Sequence, residues 1–215
     1  MTDDGGRTAL RSTQRRPLLW INGPFGVGKT QTAFELHRRL PGSVVCDPEH
    51  VGIGLNRMVP PGPRGDFQDF PAWRQGVYEV LDRVLSVPGG VVIVPMTVAD
   101  PGYFREIVGR LRDDGRDVRH FALIAEPATV RARLSGRELP FRAPDAFALD
   151  RVDRYLESLS RSEFAEHIRT DGLSVTGVVE LIADAAGLVL EPDTDGRLRA
   201  RLRRAQVTIS HIRLW

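Results

Sequence analysis

The sequence predicts an α/β domain of three layers, in which a parallel five-stranded sheet carries helices on both faces. Four or five short apolar runs alternate with longer segments whose apolar residues recur at helical spacing. This alternation is typical of a parallel sheet covered on both sides, because each crossover between parallel strands uses a helix. A chain of 215 residues fits one such domain with room for an insert that covers a substrate.

Strands are predicted where the apolar runs lie, because strands buried on both faces lack the alternation of half-exposed ones. In chain order, the predicted strands are 17–22, 43–46, 91–96, 118–125 and the brief 167–169. Helices are predicted where apolar residues recur every three or four positions between proline, glycine or aspartate. In chain order, the predicted helices are 31–40, 48–58, 70–87, 101–112, 127–136, 148–160 and 174–186. A proline- and glycine-rich stretch at 59–66 predicts a loop.

The two ends of the chain differ in composition from this domain, which we place at residues 17–190. Residues 1–16 are polar and charged, and they predict a flexible tail. In residues 191–215, leucine and isoleucine recur at helical spacing among arginines, which predicts a basic amphipathic helix. Such a helix lies on an anionic membrane, docks on a partner or packs against its own domain, and the sequence leaves these alternatives open.

Composition restricts the compartment and the partners of the protein. The single cysteine, Cys46, forms no internal disulfide, and no run reaches the roughly 18 apolar residues of a membrane span. We therefore expect a cytoplasmic protein, with peripheral contact at the inner face of the membrane through residues 191–215 as an alternative. The formal net charge of +2 is too small to predict a nucleic-acid partner. Nothing in the sequence indicates an oligomeric state.

Residues 23–30, GPFGVGKT, match the phosphate-binding motif G-x-x-x-x-G-K-[ST] between a predicted strand and a predicted helix. Glycines in this motif let backbone N–H groups turn toward nucleotide phosphates, and the lysine reaches the β and γ oxygens. Lys29, the only lysine in the chain, is therefore a predicted catalytic residue. The motif predicts ATP and Mg²⁺ as cofactors, with Thr30 as a metal ligand. The predicted nucleotide contacts are Gly23, Pro24, Phe25, Gly26, Val27, Gly28, Lys29, Thr30 and Gln31.

Asp47 follows the second predicted strand, at the edge of the sheet where α/β proteins bind their ligands. We predict that Asp47 contacts the substrate and takes the proton of an acceptor hydroxyl, although Asp-Pro also caps helices. Asp100-Pro101 has the same form, and there we favour the capping role. The strand at 91–96 is followed by Thr97 rather than by the Mg²⁺-orienting aspartate of motor ATPases, which favours a small kinase. We assign Thr97 to the substrate site.

Two further clusters are less specific than the phosphate-binding motif. Arginines crowd residues 127–147, where kinases of this fold carry a lid, and we predict that Arg133 and Arg137 stabilise the transferring phosphoryl group. The alternative is a solvated helix face in an arginine-rich chain. Trp73 and Arg74 are assigned to the substrate site, with burial of the aromatic ring in the core as the alternative.

Longer runs of the sequence resemble the ATP-binding tunicamycin-resistance proteins. The matching runs are 18–52, 71–74 (PAWR), 91–112 and 167–175 (HIRTDGLSV). The resemblance covers most of the chain and departs from the family in the first sixteen residues and at 136–146. That family is similar in fold to the chloramphenicol phosphotransferases and other small P-loop kinases. The resemblance implies an acid beside the acceptor hydroxyl at Asp47, and a lid that bears Arg133 and Arg137.

The resemblance also implies a function, namely resistance to tunicamycin, a uridine-like lipid antibiotic, with membrane attachment through the C-terminal end. Our first hypothesis is a cytoplasmic ATP-dependent kinase that phosphorylates a hydroxyl of tunicamycin. The second is an ATP-dependent binding protein that sequesters the drug at the membrane without changing it. A nucleotide or polynucleotide kinase is less favoured, because no basic stripe with interleaved aromatic residues lies beside the phosphate-binding motif.

Overall fold

The computed structural model describes residues 16–60, 65–136 and 146–193, without the side chains of 146–148. Within these ranges, five parallel strands form one sheet in the order β2-β3-β1-β4-β5. The strands are β1 (Leu18–Asn22), β2 (Val44–Val45), β3 (Val92–Pro95), β4 (Val118–Ile124) and β5 (His167–Arg169). The predicted fold class, a parallel α/β sheet of the P-loop kinase type, is confirmed.

Helices connect the strands and cover both faces of the sheet. They are α1 (Lys29–Arg39), α2 (Glu49–Met58), α3 (Pro71–Leu85), α4 (Pro101–Phe104), α5 (Arg110–Asp113), α6 (Pro127–Ser135), α7 (Ala146–Leu159) and α8 (Val175–Ala185). A π-helical segment, Arg105–Gly109, joins α4 to α5, so the predicted helix at 101–112 is continuous but locally widened. A 3₁₀ turn that the sequence pattern does not predict, Phe67–Asp69, precedes α3. The predicted strand at 43–46 is shorter because only Val44 and Val45 pair with β3, at the edge of the sheet.

Alternate residues of β1 separate the core into two layers, as the strand period of two requires. Leu18 and Trp20 pack with α3, α4 and α5, on a side that we call the α3 face. Leu19 and Ile21 pack with α1, α6 and α8, on the opposite α1 face. All four side chains are fully buried. The central strand is therefore held from both sides, and the loop that follows it starts from a rigid base.

Arg16, the first described residue, is bound to the α/β domain. The guanidinium Nε of Arg16 donates to the carbonyl oxygen of Gly90 at 2.7 Å, and its Nη1 donates to that of Val84 at 3.3 Å. These bonds tie Arg16 to the end of α3 and to the segment that enters β3. The other residues of the predicted tail, 1–15, lie outside the described residues.

The last described residues, 191–193, lie against the end of α1. The backbone N–H of Glu191 donates to the carbonyl oxygen of Arg39 at 2.9 Å, and Arg38 forms an ion pair with Asp193 at 2.7 Å. The rest of the predicted amphipathic helix, 194–215, is outside the described part of the chain. Across residues 16–60, 65–136 and 146–193, no helix is both long enough and apolar enough to cross a membrane.

His120 of β4 lies in the core with little exposure. It is 3% exposed, its Nδ1 donates to the carbonyl oxygen of Ala165 at 3.2 Å, and its Nε2 has no hydrogen-bond partner among the described residues. The ring of Phe104 packs edge-on against it, with centroids 4.7 Å apart. Burial, with smaller contributions from the charges of Arg112 and His167, lowers the pKa of His120 to about 4. His120 is therefore neutral in the folded protein near neutral pH.

We expect His120 to make the free energy of unfolding depend on pH. The ordinary pKa is 6.5, so between pH 6.5 and about 4 the unfolded chain binds more protons than the folded one. The contribution of His120 to the free energy of unfolding is complete above pH 6.5. It falls by about 3 kcal/mol as the pH drops to about 4. Urea unfolding at a series of pH values measures this loss. His120→Phe should remove most of it, and an unchanged pH slope in that variant would contradict the assignment.

Candidate active site

The phosphate-binding loop joins β1 to α1, and three of its glycines adopt backbone conformations that favour glycine. Gly23, Gly26 and Gly28 have φ values of 144°, 83° and 111°. At Gly23, a Cβ would also lie 2.7 Å from the carbonyl oxygen of Leu123 in the neighbouring strand, and at Gly26 it would lie 2.7 Å from Leu134 of α6. The loop is therefore packed against its neighbours, with the first turn of α1 at its end.

The side chain of Lys29 folds back over the loop. Its Nζ donates to the carbonyl oxygens of Gly23 and Pro24 at 2.9 Å and 3.0 Å. The same nitrogen lies 5.6 Å from the centroid of the Phe25 ring. The ammonium is thus held at the centre of the loop, where the N-terminal amides of α1 also favour an anion.

A buried frame fixes the start of the loop to the segment after β3. The side-chain oxygen of Asn22 accepts from the N–H groups of Gly23 and Val98 at 2.8 Å and 3.0 Å, and its Nδ2 donates to the carbonyl oxygen of Val98 at 2.9 Å. The hydroxyl of Thr97 donates to the carbonyl oxygen of Gly23 at 2.7 Å. The same oxygen of Gly23 also accepts from Lys29, so the frame helps to position the lysine.

Thr97 therefore requires a correction, because we assigned it to the substrate site. Its side chain is buried, with 3% exposure, and its hydroxyl is occupied by the loop. Its contact is with the protein itself, and its role is to order Gly23. The importance of Asn22, which directly precedes the motif, was missed, although a polar residue that ends an apolar strand is a visible signal.

Two acids lie at the β2 edge of the site, close to Lys29. Asp47 follows β2, and one of its carboxylate oxygens accepts from the backbone N–H of Glu49 at 2.9 Å. Glu49, the first residue of α2, was not singled out from the sequence. Burial raises the pKa of Glu49, the negative charge of Asp47 raises it further, and the ammonium of Lys29 opposes them. The two carboxylates and the lysine therefore interact electrostatically in one region.

Both roles considered for the Asp-Pro pairs can be examined in the structure. Asp100 caps α4, because its side chain accepts from the N–H of Tyr103 at 3.0 Å, which confirms the capping role. Asp47 bonds the N–H of Glu49 at the start of α2, so it also has a structural contact. This contact fixes the direction of the Asp47 carboxylate beside the loop, and it is compatible with a chemical role.

Trp73 and Arg74 require a second correction, since we assigned both to the substrate site. Trp73 is 0% exposed, and its indole N–H donates to the carbonyl oxygen of Pro48 at 3.1 Å, between the two acids. Arg74 is also buried, and it binds Glu106 at 2.6 Å. Both side chains are therefore supports, and Trp73 holds the turn that carries Asp47 and Glu49.

A cavity of about 360 Å³ opens on the other side of the loop, toward the β5 edge. Its wall is formed by the loop, the first turn of α1, the end of α6 and the segment that enters α8. The lining residues are Gly26, Val27, Gly28, Gln31, Thr32, Arg133, Gly136, Thr170, Leu173, Val175 and Val178. The volume falls in the usual range of small-molecule sites, and its leucine and valines provide an apolar wall.

Arg133 lies at this cavity. Its Nη1 and Nη2 donate to the hydroxyl and the carbonyl oxygen of Thr170 at 2.9 Å and 2.8 Å, and Nη1 also reaches the carbonyl oxygen of Val27 at 3.3 Å. Thr170 follows β5, whereas Asp47 follows β2 at the opposite edge of the sheet. The structure therefore places Arg133 on the far side of the loop from the two acids. Its predicted role at the transferring phosphoryl group stays a prediction.

The first part of the predicted lid, α6, is fixed to the domain. The backbone N–H of Glu126, just before α6, donates to both carboxylate oxygens of Asp171 at 3.1 Å. Leu134 packs on Gly26, as the short contact with a Cβ at that glycine shows. The remaining lid residues 137–145, with Arg137, lie outside the described residues.

We expect Arg133→Ala to raise the KM for ATP about tenfold and to change kcat much less. The reason is that the bonds of Arg133 hold Thr170 against the loop, and each net hydrogen bond contributes about 1 kcal/mol. Steady-state kinetics at varied ATP measures both constants. Arg131→Ala is the matched control, because Arg131 is on the same helix and pairs with Asp153 at the surface. A fall of about 10³ in kcat at unchanged KM would instead assign Arg133 to the transition state.

The profile of an AAA domain family, AAA_33, matches residues 18–162. The structure of the tunicamycin resistance protein of Deinococcus radiodurans has 40% sequence identity and a TM-score of 0.70, and the alignment covers 83% of this chain and 99% of that one. Among curated proteins, no sequence matches the chain.

Two more distant structures share the fold. A sugar kinase from Janibacter sp. HTCC2649 has 16% identity and a TM-score of 0.58, over 81% of this chain and 96% of that one. Shikimate kinase from Bacteroides thetaiotaomicron has 16% identity and a TM-score of 0.56, over 80% and 99%. With the AAA domain match over residues 18–162, these results show that the chain belongs to the tunicamycin-resistance protein family and has its P-loop kinase-like fold.

Proposed function

We propose that this chain is an ATP-dependent phosphotransferase that moves the γ-phosphoryl group of ATP to a hydroxyl of tunicamycin. The observation that carries the proposal is the position of Lys29, which has two carboxylates on one side and a nucleoside-sized cavity beyond the loop on the other. Such an arrangement provides for a phosphoryl donor and a hydroxyl acceptor at once. Tunicamycin is the acceptor in this proposal because the 40% identical protein is a tunicamycin resistance protein.

The residues of the loop fit the phosphates of ATP and Mg²⁺. Glycines with positive φ, the first turn of α1 and the ammonium of Lys29 supply donors for phosphate oxygens. The base and ribose fit the cavity that Arg133 and Thr170 border. Thr30, in the first turn of α1, would hold Mg²⁺ together with phosphate oxygens, since this ion prefers oxygen ligands. The ion would supply positive charge that offsets the negative charge of the phosphates.

In the proposed reaction, the acceptor oxygen attacks the γ-phosphorus and forms a P–O bond. The bond from that phosphorus to the β,γ-bridging oxygen breaks, and ADP leaves. The hydroxyl proton passes to a carboxylate oxygen of Asp47, while Lys29 stabilises the negative charge on the phosphoryl oxygens. The carboxylate of Glu49, whose pKa is raised, is a second proton acceptor in the same region.

A second candidate function is ATP-dependent binding of tunicamycin without modification. The observation that favours it is the basic amphipathic pattern of residues 191–215, which suits an anionic membrane surface. Thr97 in place of a Mg²⁺-orienting aspartate after β3 does not speak against it. In both cases, we place the activity in the cytoplasm, where ATP is available. Peripheral attachment through residues 191–215 is part of the second candidate, because a sequestered lipid drug would stay at the membrane.

The amount of ADP formed distinguishes the two candidates. A small amount of protein is mixed with Mg²⁺, ATP and a large excess of tunicamycin, and ADP is followed with a coupled assay. Catalysis predicts continued formation of ADP, equal in amount to the drug consumed and far above the amount of protein. Binding without modification predicts no more ADP than protein, and protection that saturates at one drug per binding site.

A further inference from the structure

The aromatic residue of the phosphate-binding loop contacts α7. The ring centroids of Phe25 and Tyr155 are 5.9 Å apart, with an angle of 37° between the ring planes. Phe25 also lies 5.6 Å from Nζ of Lys29. The Phe25 ring therefore contacts both helix α7 and the ammonium of the phosphate-binding loop. Both rings pack on the α3 face, the same layer that supports Asp47 through Trp73.

The hydroxyl end of Tyr155 lies near charged groups of α7 and of the segment that precedes the 3₁₀ turn. Its side chain is 8% exposed, and its hydroxyl is hydrogen-bonded to Arg151, one turn earlier on α7. Burial raises the pKa of Tyr155, and the negative charge of Asp66, which precedes the 3₁₀ turn, raises it further. Helix α7 and this turn thus approach each other on the side of the loop that faces the acids.

The 3₁₀ turn Phe67–Asp69, which Asp66 precedes, is held in place by tight packing. The carboxylate of Asp66 accepts from the N–H of Gln68 at 3.1 Å, and this bond caps the turn. Phe67 packs on α2 so closely that a Cβ at Gly52 would lie 2.5 Å from its ring. Phe67 also packs on Trp73, with ring centroids 5.3 Å apart. The Phe25–Tyr155 pair and the 3₁₀ turn are therefore in place before any acceptor binds, which reduces the entropy cost of binding.

We propose that Phe25 and Tyr155 form the aromatic wall of the acceptor site, and that Arg151 binds the acceptor above this wall. An aromatic wall favours a ring that stacks on it or packs against it. Arg151 donates to carbonyl or hydroxyl oxygens, whereas Asp66 and the two acids beside Lys29 accept from hydroxyl and N–H groups. With Lys29 directed to the phosphates of ATP, the three carboxylates of Asp66, Asp47 and Glu49 still outnumber the cations Arg151 and Arg154. The site therefore favours a neutral ring compound rich in hydroxyls, such as a nucleoside, over an anionic one.

This inference rests on the proposed function, but its test measures binding rather than phosphoryl transfer. Dissociation constants are measured by calorimetry for tunicamycin, uridine and uridine 5′-monophosphate, with a non-hydrolysable ATP analogue present. We expect Arg151→Gln and Tyr155→Leu to weaken tunicamycin about tenfold or more and to change affinity for the ATP analogue less than twofold. Arg154→Gln is the matched control, an exposed arginine of the same helix, and it should leave both affinities unchanged.

The outcomes separate this inference from the proposed function. Wild-type protein that binds tunicamycin through Arg151 and never phosphorylates it would overturn the proposed function and leave the acceptor wall in place. Equal affinities in the Arg151 and Arg154 variants, with unchanged thermal unfolding, would overturn the acceptor wall alone. Tighter binding of the monophosphate than of uridine, lost in Arg151→Gln, would overturn the preference for a neutral acceptor. Failure of the wild type to bind both tunicamycin and uridine would overturn the whole inference.

Discussion

Replacing Lys29 with methionine is expected to lower turnover by about 10³-fold while the domain stays folded. The ammonium is the charged donor that the loop presents to the β and γ phosphates, and such a group stabilises charge that grows in the transition state. Methionine keeps the length of the side chain but supplies no donor. The measurement is ADP formation in the presence of tunicamycin, together with thermal unfolding.

The structure gives the reason that the fold should survive this change. Lys29 donates to the carbonyl oxygens of Gly23 and Pro24, but Gly23 keeps its bond from Thr97. Lys29→Arg is the matched control for charge, and we expect it to stay strongly impaired because the planar guanidinium does not fit the place of a compact ammonium. Turnover within a few fold of wild type in Lys29→Met, with normal unfolding, would exclude the proposed phosphate site.

Replacing Asp47 with asparagine is expected to lower turnover by about 10² to 10⁴ while ATP affinity changes little. The amide keeps the size of the side chain and an oxygen that can accept from the N–H of Glu49. It does not take up a proton, and a positioned general base contributes this range of rate. Turnover and ATP binding are measured separately, and unchanged turnover would remove Asp47 from the mechanism.

Glu49→Gln tests the same pair of acids through the pH profile. Burial and the negative charge of Asp47 raise the pKa of Glu49 above its ordinary value. Turnover of the wild type should therefore fall as the pH decreases through the range in which Glu49 takes up a proton. In Glu49→Gln this acidic fall should move to lower pH, because the group with the raised pKa is gone. The double variant Asp47→Asn with Glu49→Gln should lose little more turnover than Asp47→Asn alone, since the effects of groups that act as a unit are not additive.

The fold and the phosphate-binding loop could be predicted from the sequence because their signals are local. The run that forms β1 lies beside a complete motif, and each apolar run became a strand of the sheet. The positions of Asp47 after β2 and of Lys29 at the start of α1 were predicted in the same way, from a short apolar run and from the spacing of the motif. Their catalytic roles stay predictions.

The supports and the walls of the site could not be predicted, because they depend on contacts between distant segments. The sequence does not distinguish a tryptophan that stacks on a ligand from one whose indole binds Pro48, 25 residues away. Thr97 meets Gly23 only because β3 and β1 are neighbours in the sheet. The contact of Phe25 with Tyr155 and the bond of Arg133 to Thr170 also cross the fold.

The most direct test of the central claim follows the γ-phosphoryl group itself. Purified protein is incubated with Mg²⁺, ATP labelled in its γ-phosphoryl group and excess tunicamycin, and the drug is then separated and weighed by mass spectrometry. The account predicts labelled drug that is heavier by one phosphoryl group, in amounts above the amount of protein, and none with Lys29→Met. Unmodified drug that stays bound to the protein only when ATP is present, with no label transferred, would contradict it.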